Sequence, residues 1–271
     1  MKFLRLPLRV LIVAAGVASI ITGQEPKPGF NIFKVQQDVQ IGQQAASGME
    51  KTLKIVDAPE VQILVEDLGK DLSKNASEFA FPFQFKAVNE KAINAFALPG
   101  GPIYVNSGTI EAVRTQGELA GVIAHEIGHV VLRHGTNQVS KATLISSIAQ
   151  LASGVVLSDG AVSSVIATAG GVGLNSLFLK YSRSAETDAD IMGAYLMVKA
   201  GYDPNELASF FEVLSTQEKG ARPPQFFSSH PNPDNRTKRI RDEIRKMKVS
   251  PDPKKDNSEL ERAKGILKIF G

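Results

Sequence analysis

The pentapeptide HEIGH at residues 125–129 constrains this chain more than any other feature of its sequence. It fits the pattern H-E-x-x-H, in which His125 and His129 lie four positions apart. On an α-helix that spacing places both imidazoles on one face, one turn apart, so that they can bind a single metal ion. The flanking residues are apolar, and Gly128 is the only helix breaker in residues 122–132. The motif therefore predicts a helix that carries a metal site.

Zinc is the metal that this motif favours. Zn²⁺ is redox-silent and suits nitrogen and carboxylate ligands, so we expect one Zn²⁺ per chain. The chain has no Cys, which excludes a thiolate zinc ribbon and a thiol protease. Glu126 follows the first histidine and can take a proton from the attacking water before it delivers one to the leaving amine. These features predict a metal-dependent peptide hydrolase with Glu126 as its general base.

A catalytic zinc site needs a third protein ligand and one open position. The segment SRSAETDAD offers Glu186 and Asp190, which lie four positions apart on one helical face. Glu186 can bind the metal while Asp190 accepts the N–H of a ligand histidine and fixes its tautomer. Asp188 points elsewhere and is expected to be solvated. The two remaining histidines, His134 and His230, are the other ligand candidates.

Three further polar residues have roles that the sequence leaves open. His134 lies five positions beyond His129, off the ligand face, and is expected to be structural or to support a ligand. His230 lies in a loop with four prolines and is a candidate catalytic residue that donates to the developing oxyanion; a histidine that binds nothing is the alternative. Arg236 is expected to be the solvated start of a basic helix; an arginine that holds the loop through nearby acids is the alternative.

The first 23 residues predict an export signal. The basic residues Lys2, Arg5 and Arg9 precede an apolar run at 10–21, and Gly23 is a small residue at the cleavage point. The run is short for a membrane span of about 20 residues; an uncleaved N-terminal anchor is the alternative. Cleavage removes three positive charges and changes the formal net charge from +3 to 0. We therefore expect a periplasmic or otherwise extracytoplasmic protein with no nucleic-acid partner.

Helical spacing of apolar residues dominates the rest of the chain and predicts an α+β fold that is mainly helical. Helices are expected after residue 204, near the C-terminus, and at about 30–56, 59–74, 117–134, 182–200 and 236–248. Short extended segments predict a small sheet of about three strands beside the motif helix. These segments lie at 81–89, 94–98 and 102–106.

The second and third extended segments are expected to form the sheet edge against which an extended polypeptide lies, with Asn94, Ala95 and Phe96 as its contacts. Main-chain pairing makes little demand on substrate sequence, so unfolded or misassembled proteins are the expected substrates. Strands that serve only as scaffold are the alternative. Residues 142–179 carry a single charge and are expected to form a buried hairpin; a lid in peripheral contact with a membrane is the alternative.

Four segments, in this order, resemble the metallopeptidase family that contains the CAAX prenyl proteases, the bacterial HtpX proteases and the mitochondrial OMA proteases. They are NAFALPGGPIYVNSGTI, ELAGVIAHEIGHVVLRH, SRSAETDAD and SSHPNPDNR. The chain is similar to the secreted BepA-type and LoiP-type members over about residues 30–248. This resemblance implies a gluzincin-type domain with zinc ligands His125, His129 and Glu186, the catalytic residue Glu126, and the supporting acid Asp190.

The resemblance also implies a function and a domain organisation. It implies an extracytoplasmic zinc endopeptidase of protein quality control, in which His230 fills the open zinc position in a latent state. A single metallopeptidase domain is expected over residues 24–271, with a helical tail at 249–271 and without the repeat domain of the BepA-type enzymes. A chaperone-like assembly or binding protein with a latent zinc site is the alternative function.

Overall fold

A computed structural model describes residues 25–74, 76, 80–152, 181–218, 225–231 and 235–270. The predicted export signal and most of the segment 142–179 lie outside the described residues. The described helices and strands are, in order, α1 Val35–Met49, α2 Pro59–Ser73, β1 Gln84–Val88, β2 Ala95–Ala97, β3 Pro102–Asn106, α3 Ser107–Ala112, α4 Gln116–Val131, α5 His134–Ala152, α6 Arg183–Ala200, α7 Asn205–Glu218, α8 Phe226–Ser229, α9 Arg236–Ile244 and α10 Ser258–Phe270.

This architecture confirms a mainly helical α+β fold with one three-stranded sheet. None of the helices in the described ranges has the length and apolarity that a membrane crossing requires. The predicted helix at 30–56 is shorter in the structure, because residues after Met49 leave the helix. Ile55 instead forms a bridge with Val88, and Val56 N donates to the Ala87 carbonyl oxygen at 2.9 Å. The segment after this helix therefore pairs with a distant strand instead of continuing the helix.

The three strands form a mixed sheet in the order β1–β3–β2. β1 runs parallel to β3, and β2 runs antiparallel to it, so β2 is an edge strand. Just outside the ends of β2, the Asn94 carbonyl oxygen accepts a hydrogen bond from Asn106 N–H, and Leu98 N–H donates to the Pro102 carbonyl oxygen, so both groups face β3. Because the bonding direction alternates along an antiparallel strand, Ala95 and Ala97 direct their N–H and C=O groups to the outer edge.

The motif helix α4 lies in the centre of the fold. Residues from Glu118 to Val131 are all buried, and the helix is apolar on nearly every side. Two glycines let α6 approach it closely. A Cβ atom on Gly128 would lie 2.9 Å from the Ala189 carbonyl oxygen, and one on Gly193 would lie 3.1 Å from the His125 backbone nitrogen. This close packing brings side chains of α6 onto the ligand face of α4.

A left-handed residue separates α4 from α5. Arg133 has a φ of 57°, which L-residues other than Asn and Asp adopt rarely. Its guanidinium donates to the Asp38 carboxylate at 2.6 and 3.0 Å and to the Phe33 carbonyl at 2.6 Å. These bonds hold the corner against α1. The prediction of one helix through His134 is therefore wrong: α4 ends at Val131, and α5 begins after the corner.

We predict that glycine is tolerated better than alanine at position 133. Arg133→Gly and Arg133→Ala both lose the ion pair with Asp38, but only glycine adopts positive φ without a steric cost. An L-residue pays about 1–2 kcal/mol for this conformation. Urea unfolding should find the glycine variant more stable by about 1 kcal/mol. A more stable alanine variant would contradict the role of backbone conformation at this corner.

Candidate metal centre

Four side chains from three parts of the fold converge on one point. His125 and His129 come from α4, Glu186 from the first turn of α6, and His230 from the residue that follows α8. Each is at most 2% exposed. One ligand atom of each lies within 4.8 Å of the others. The structure thus brings together the three predicted ligands and His230, one of the two other candidates, while His134 is not among the clustered ligand atoms.

Five contacts among these four side chains have nearly the spacing of ligand atoms around a small tetrahedral ion. His125 Nε2 lies 3.0 Å from His129 Nε2 and 3.3 Å from His230 Nδ1. Oxygens of the Glu186 carboxylate lie 3.4 Å from each Nε2 and 3.2 Å from His230 Nδ1. Ligands placed about 2.0–2.1 Å from a tetrahedral Zn²⁺ are about 3.3 Å from one another. Three imidazoles and a carboxylate are also donors that Zn²⁺ accepts well.

Buried polar atoms without hydrogen bonds lie in the same place. Both carboxylate oxygens of Glu126 and one of Glu186 are buried and make no hydrogen bond within the described part of the chain. Because buried polar atoms are nearly always paired, such atoms mark a position for an ion or a water. Burial raises the pKa of Glu126. Burial would also raise the pKa of Glu186, but the facing histidines hold that pKa well below its usual range.

Each motif histidine has a further contact at its Nδ1 atom. His125 Nδ1 lies 2.9 Å from the Asp190 carboxylate, and His129 Nδ1 lies 3.0 Å from His134 Nδ1. Hydrogen bonds through Nδ1 leave the Nε2 atom of both rings for the ligand cluster. Asp190 therefore lies where the sequence places the supporting acid. Asp188 is exposed, as expected.

Arg236 corrects a prediction from the sequence, which favours a solvated side chain. It is 3% exposed. Its guanidinium donates to the Asp190 carboxylate at 2.7 and 2.8 Å, lies 3.2 Å from Glu186, and sits 3.6 Å above the ring of Phe211. The site buries three carboxylates, and a buried anion needs a cation or hydrogen bonds to offset its lost hydration. Arg236 supplies that cation.

His230 connects the ligand cluster to the edge of the sheet. Its Nε2 lies 3.3 Å from the Ala95 carbonyl oxygen and 3.4 Å from the Glu126 carboxylate. Its ring stacks on Phe226 at a centroid distance of 4.3 Å. With Nδ1 in the cluster, the Nε2–H group can donate to Ala95 on the outer edge of β2. His230 thus belongs to the ligand cluster and covers part of the strand edge at once.

The residues predicted to contact a substrate are covered by the chain itself. None of Asn94, Ala95 and Phe96 is more than 8% exposed. Carbonyl groups along this edge accept hydrogen bonds from the segment that carries His230 and from the hydroxyl of Tyr181. An incoming strand would have to displace these groups before it paired with β2.

Sequence reasoning missed the aromatic side chains that line the site. Tyr181 stacks on His129 at a centroid distance of 3.8 Å, Phe226 lies against His230, and Phe211 lies beneath Arg236. They come from separate parts of the chain and share no spacing. The only available signal was position, since Tyr181 directly precedes SRSAETDAD, and Phe226 lies two residues before SSH.

Known proteins share sequence with this chain. Residues 58–244 match Peptidase family M48. The chain is 30% identical over 225 residues to the putative beta-barrel assembly-enhancing protease of Vibrio cholerae; the matched region covers 80% of this chain and 46% of that protein. It is 29% identical over 252 residues to metalloprotease LoiP of Escherichia coli, which covers 88% and 97% respectively. It is 30% identical over 168 residues to mitochondrial metalloendopeptidase OMA1 of Schizosaccharomyces pombe, which covers 62% and 48%. The chain thus spans about half the length of the beta-barrel assembly-enhancing relative.

We predict that Arg236→Met destabilises the metal-free protein by about 3–5 kcal/mol. Methionine keeps an apolar contact with Phe211 but leaves Asp190 and Glu186 without their buried arginine. Urea unfolding in the presence of a chelator measures the change. Arg239→Met, at an exposed position of the same helix, is the control and should shift the free energy of unfolding by less than about 0.5 kcal/mol. Similar losses in the free energy of unfolding for Arg236→Met and Arg239→Met would contradict the role of Arg236 as the buried cation of the site.

Proposed function

This chain belongs to peptidase family M48 and is a metallopeptidase, and we propose that it is a zinc-dependent endopeptidase. In this proposal His125, His129 and Glu186 hold one Zn²⁺, and Glu126 is the general base. The observation that carries the proposal is the convergence of four buried donor side chains, which approach one another to 3.0–3.4 Å in five contacts, close to the spacing of ligands around tetrahedral zinc. The buried oxygens of Glu126, which make no hydrogen bond within the described residues, lie beside that cluster and support the catalytic assignment.

Bound zinc would supply Lewis acidity to the scissile carbonyl and to the attacking water. The task of Glu126 is to accept a proton from that water and to pass a proton to the leaving amine. Its buried position suits both steps, because a carboxyl with a raised pKa holds a proton long enough to donate it. Asp190 keeps His125 in the tautomer that binds through Nε2.

The described conformation fits a latent enzyme. With His230 as a fourth protein donor, the cluster resembles structural zinc sites, in which no position remains for water. His230 also takes the Ala95 carbonyl, which an incoming strand would need. Activation in this proposal is a movement of the segment that carries His230. After that movement the imidazole is free to donate to the oxyanion of the reaction.

The proposed substrates are unfolded or misassembled polypeptides outside the cytoplasm. A strand edge pairs with main-chain groups and so accepts many sequences. The pattern of residues 1–23 supports export, and the proposal assigns one metallopeptidase domain to residues 24–271. The name of a relative, beta-barrel assembly-enhancing protease, supports substrates among envelope proteins that are being assembled.

A chaperone-like binding protein with a permanently closed zinc site is the second candidate. The observation that favours it is the closed set of four donors, in which His230 takes the place of water. The buried carboxylate of Glu126 favours the peptidase, because binding alone does not need a base that faces the cluster. Activity measurements on variants of Glu126 and His230 separate the peptidase from the binding protein.

We predict that Glu126→Gln lowers cleavage of unfolded casein at least about 100-fold while zinc stays bound. Glutamine keeps the shape of glutamate but cannot accept the proton. Peptide release and zinc content are measured on the same preparations, in the wild-type chain and in the His230→Ala background. Asp188→Asn, an equivalent change at an exposed position of α6, is the control and should keep its activity. Activity close to that of the parent chain in Glu126→Gln, with zinc bound, would contradict its role as a base.

We predict that His230→Ala raises the cleavage rate by about tenfold or more, because it removes a contact that favours the closed state. Zinc should remain at one per chain, held by the three other ligands. Ser228→Ala, at an exposed position of the same segment, is the control. A fall in activity with zinc retained would contradict the predicted rise and would mean that the imidazole contributes more as an oxyanion donor than as the group that closes the site. Zinc without cleavage in both wild type and His230→Ala would favour the binding protein.

A further inference from the structure

His134 lies beside the ligand cluster but has no place in the proposed chemistry. It is buried, and its Nδ1 lies 3.0 Å from Nδ1 of His129. The two rings meet edge to face, with centroids 5.0 Å apart and planes at 72°. Within this distance one nitrogen must carry the proton and the other the lone pair. The contact is a hydrogen bond between two imidazoles.

The direction of this hydrogen bond follows from the ligand geometry. His129 directs Nε2 at the cluster, where it lies 3.0 Å from His125 Nε2. A ring that binds a metal through Nε2 needs its lone pair there, so its proton lies on Nδ1. The Nδ1–H group of His129 therefore donates to Nδ1 of His134. The proton of His134 must then lie on its Nε2.

We infer that His134 is a positioning residue that fixes the tautomer and the ring orientation of His129 and thereby raises the affinity of the site for Zn²⁺. The inference rests on the proposed function, in which His129 is a ligand. Asp190 plays the corresponding part for His125, but the two acceptors differ. A carboxylate adds a negative charge, whereas an imidazole with one proton is neutral. His134 thus orients a ligand without adding a fourth anion to a site that buries three carboxylates.

The corner at Arg133 makes this contact available. On a continuous helix, residue 134 would be rotated by about 140° from His129 around the axis and would face away. The left-handed backbone of Arg133 ends α4 and allows His134 to turn back towards the ring of His129. The bonds from Arg133 to Asp38 hold that corner in place. Asp38 of α1 thus supports the metal site through Arg133 and His134.

The test compares two substitutions of equal size. His134→Asn keeps an acceptor, because the amide oxygen of asparagine occupies the place of Nδ1; His134→Leu puts a methyl group there. We expect His134→Leu to weaken Zn²⁺ binding about 10–100-fold and His134→Asn to recover most of that loss. Affinity is measured by competition between the metal-free protein and a chromophoric chelator. Asn137→Leu removes a different, partly buried hydrogen bond of α5, to the Phe30 carbonyl, and should leave the affinity unchanged.

An unchanged affinity in His134→Leu would overturn the inference, and so would equal losses in the leucine and asparagine variants. A wild-type chain that binds no zinc would overturn the proposed function as well. A measurement on the zinc-loaded wild type does not depend on any variant folding. Nitrogen NMR of isotope-labelled histidine rings should detect a coupling between Nδ1 of His129 and Nδ1 of His134 across the hydrogen bond. A proton on Nδ1 of His134 would overturn the inference.

Discussion

The close packing of α4 against α6 is the contact on which the candidate site depends. Gly128 and Gly193 leave the two helix backbones nearly in contact, and a side chain at either position would force them apart. The start of α6 is fixed by Ser182, whose hydroxyl accepts from the backbone N–H of the third helical residue. The Ser182 cap and the two glycines together set the register of α6 against α4. Glu186 and Asp190 therefore face the two motif histidines.

The electrostatics of the site are costly for the chain and suited to a metal. Three carboxylates are buried there, and Arg236 is the buried arginine that faces two of them. Such clusters contribute little to stability, because the loss of hydration offsets the attraction between charges. Burial alone would lower the pKa of His125, but Asp190 and Glu186 raise it to about 9. A metal that binds His125 must displace that proton, so its affinity should rise with pH.

Local signals explain which parts of the structure were predictable. The H-E-x-x-H spacing identifies the ligand face, Pro59 opens α2 as predicted, and the spacing of four between Glu186 and Asp190 indicates a shared face. Each of these signals acts within one or two helical turns. The need for a third zinc ligand in a chain without Cys indicated Glu186, and the resemblance of four motifs to a known family implied the same ligands and placed His230 at the open zinc position.

Contacts between distant residues explain the errors. Arg236 looks like a solvated cation in a basic segment, but its partners lie about 46 positions earlier on α6. α1 is shorter than its apolar pattern suggests because residues near Ile55 pair with β1. His134 lies off the ligand face on any continuous helix, and only the left-handed Arg133 brings it back. No spacing in the sequence encodes that turn.

X-ray absorption at the zinc edge, on purified wild-type protein, tests the latent four-donor site most directly. The closed arrangement predicts four-coordinate zinc with three imidazoles and one carboxylate, and the loss of one imidazole in His230→Ala. The wild-type spectrum would then change on that single substitution, while zinc stays bound. A wild-type spectrum with only two imidazoles, unchanged in His230→Ala, would show that His230 is not a ligand and would contradict the latent site.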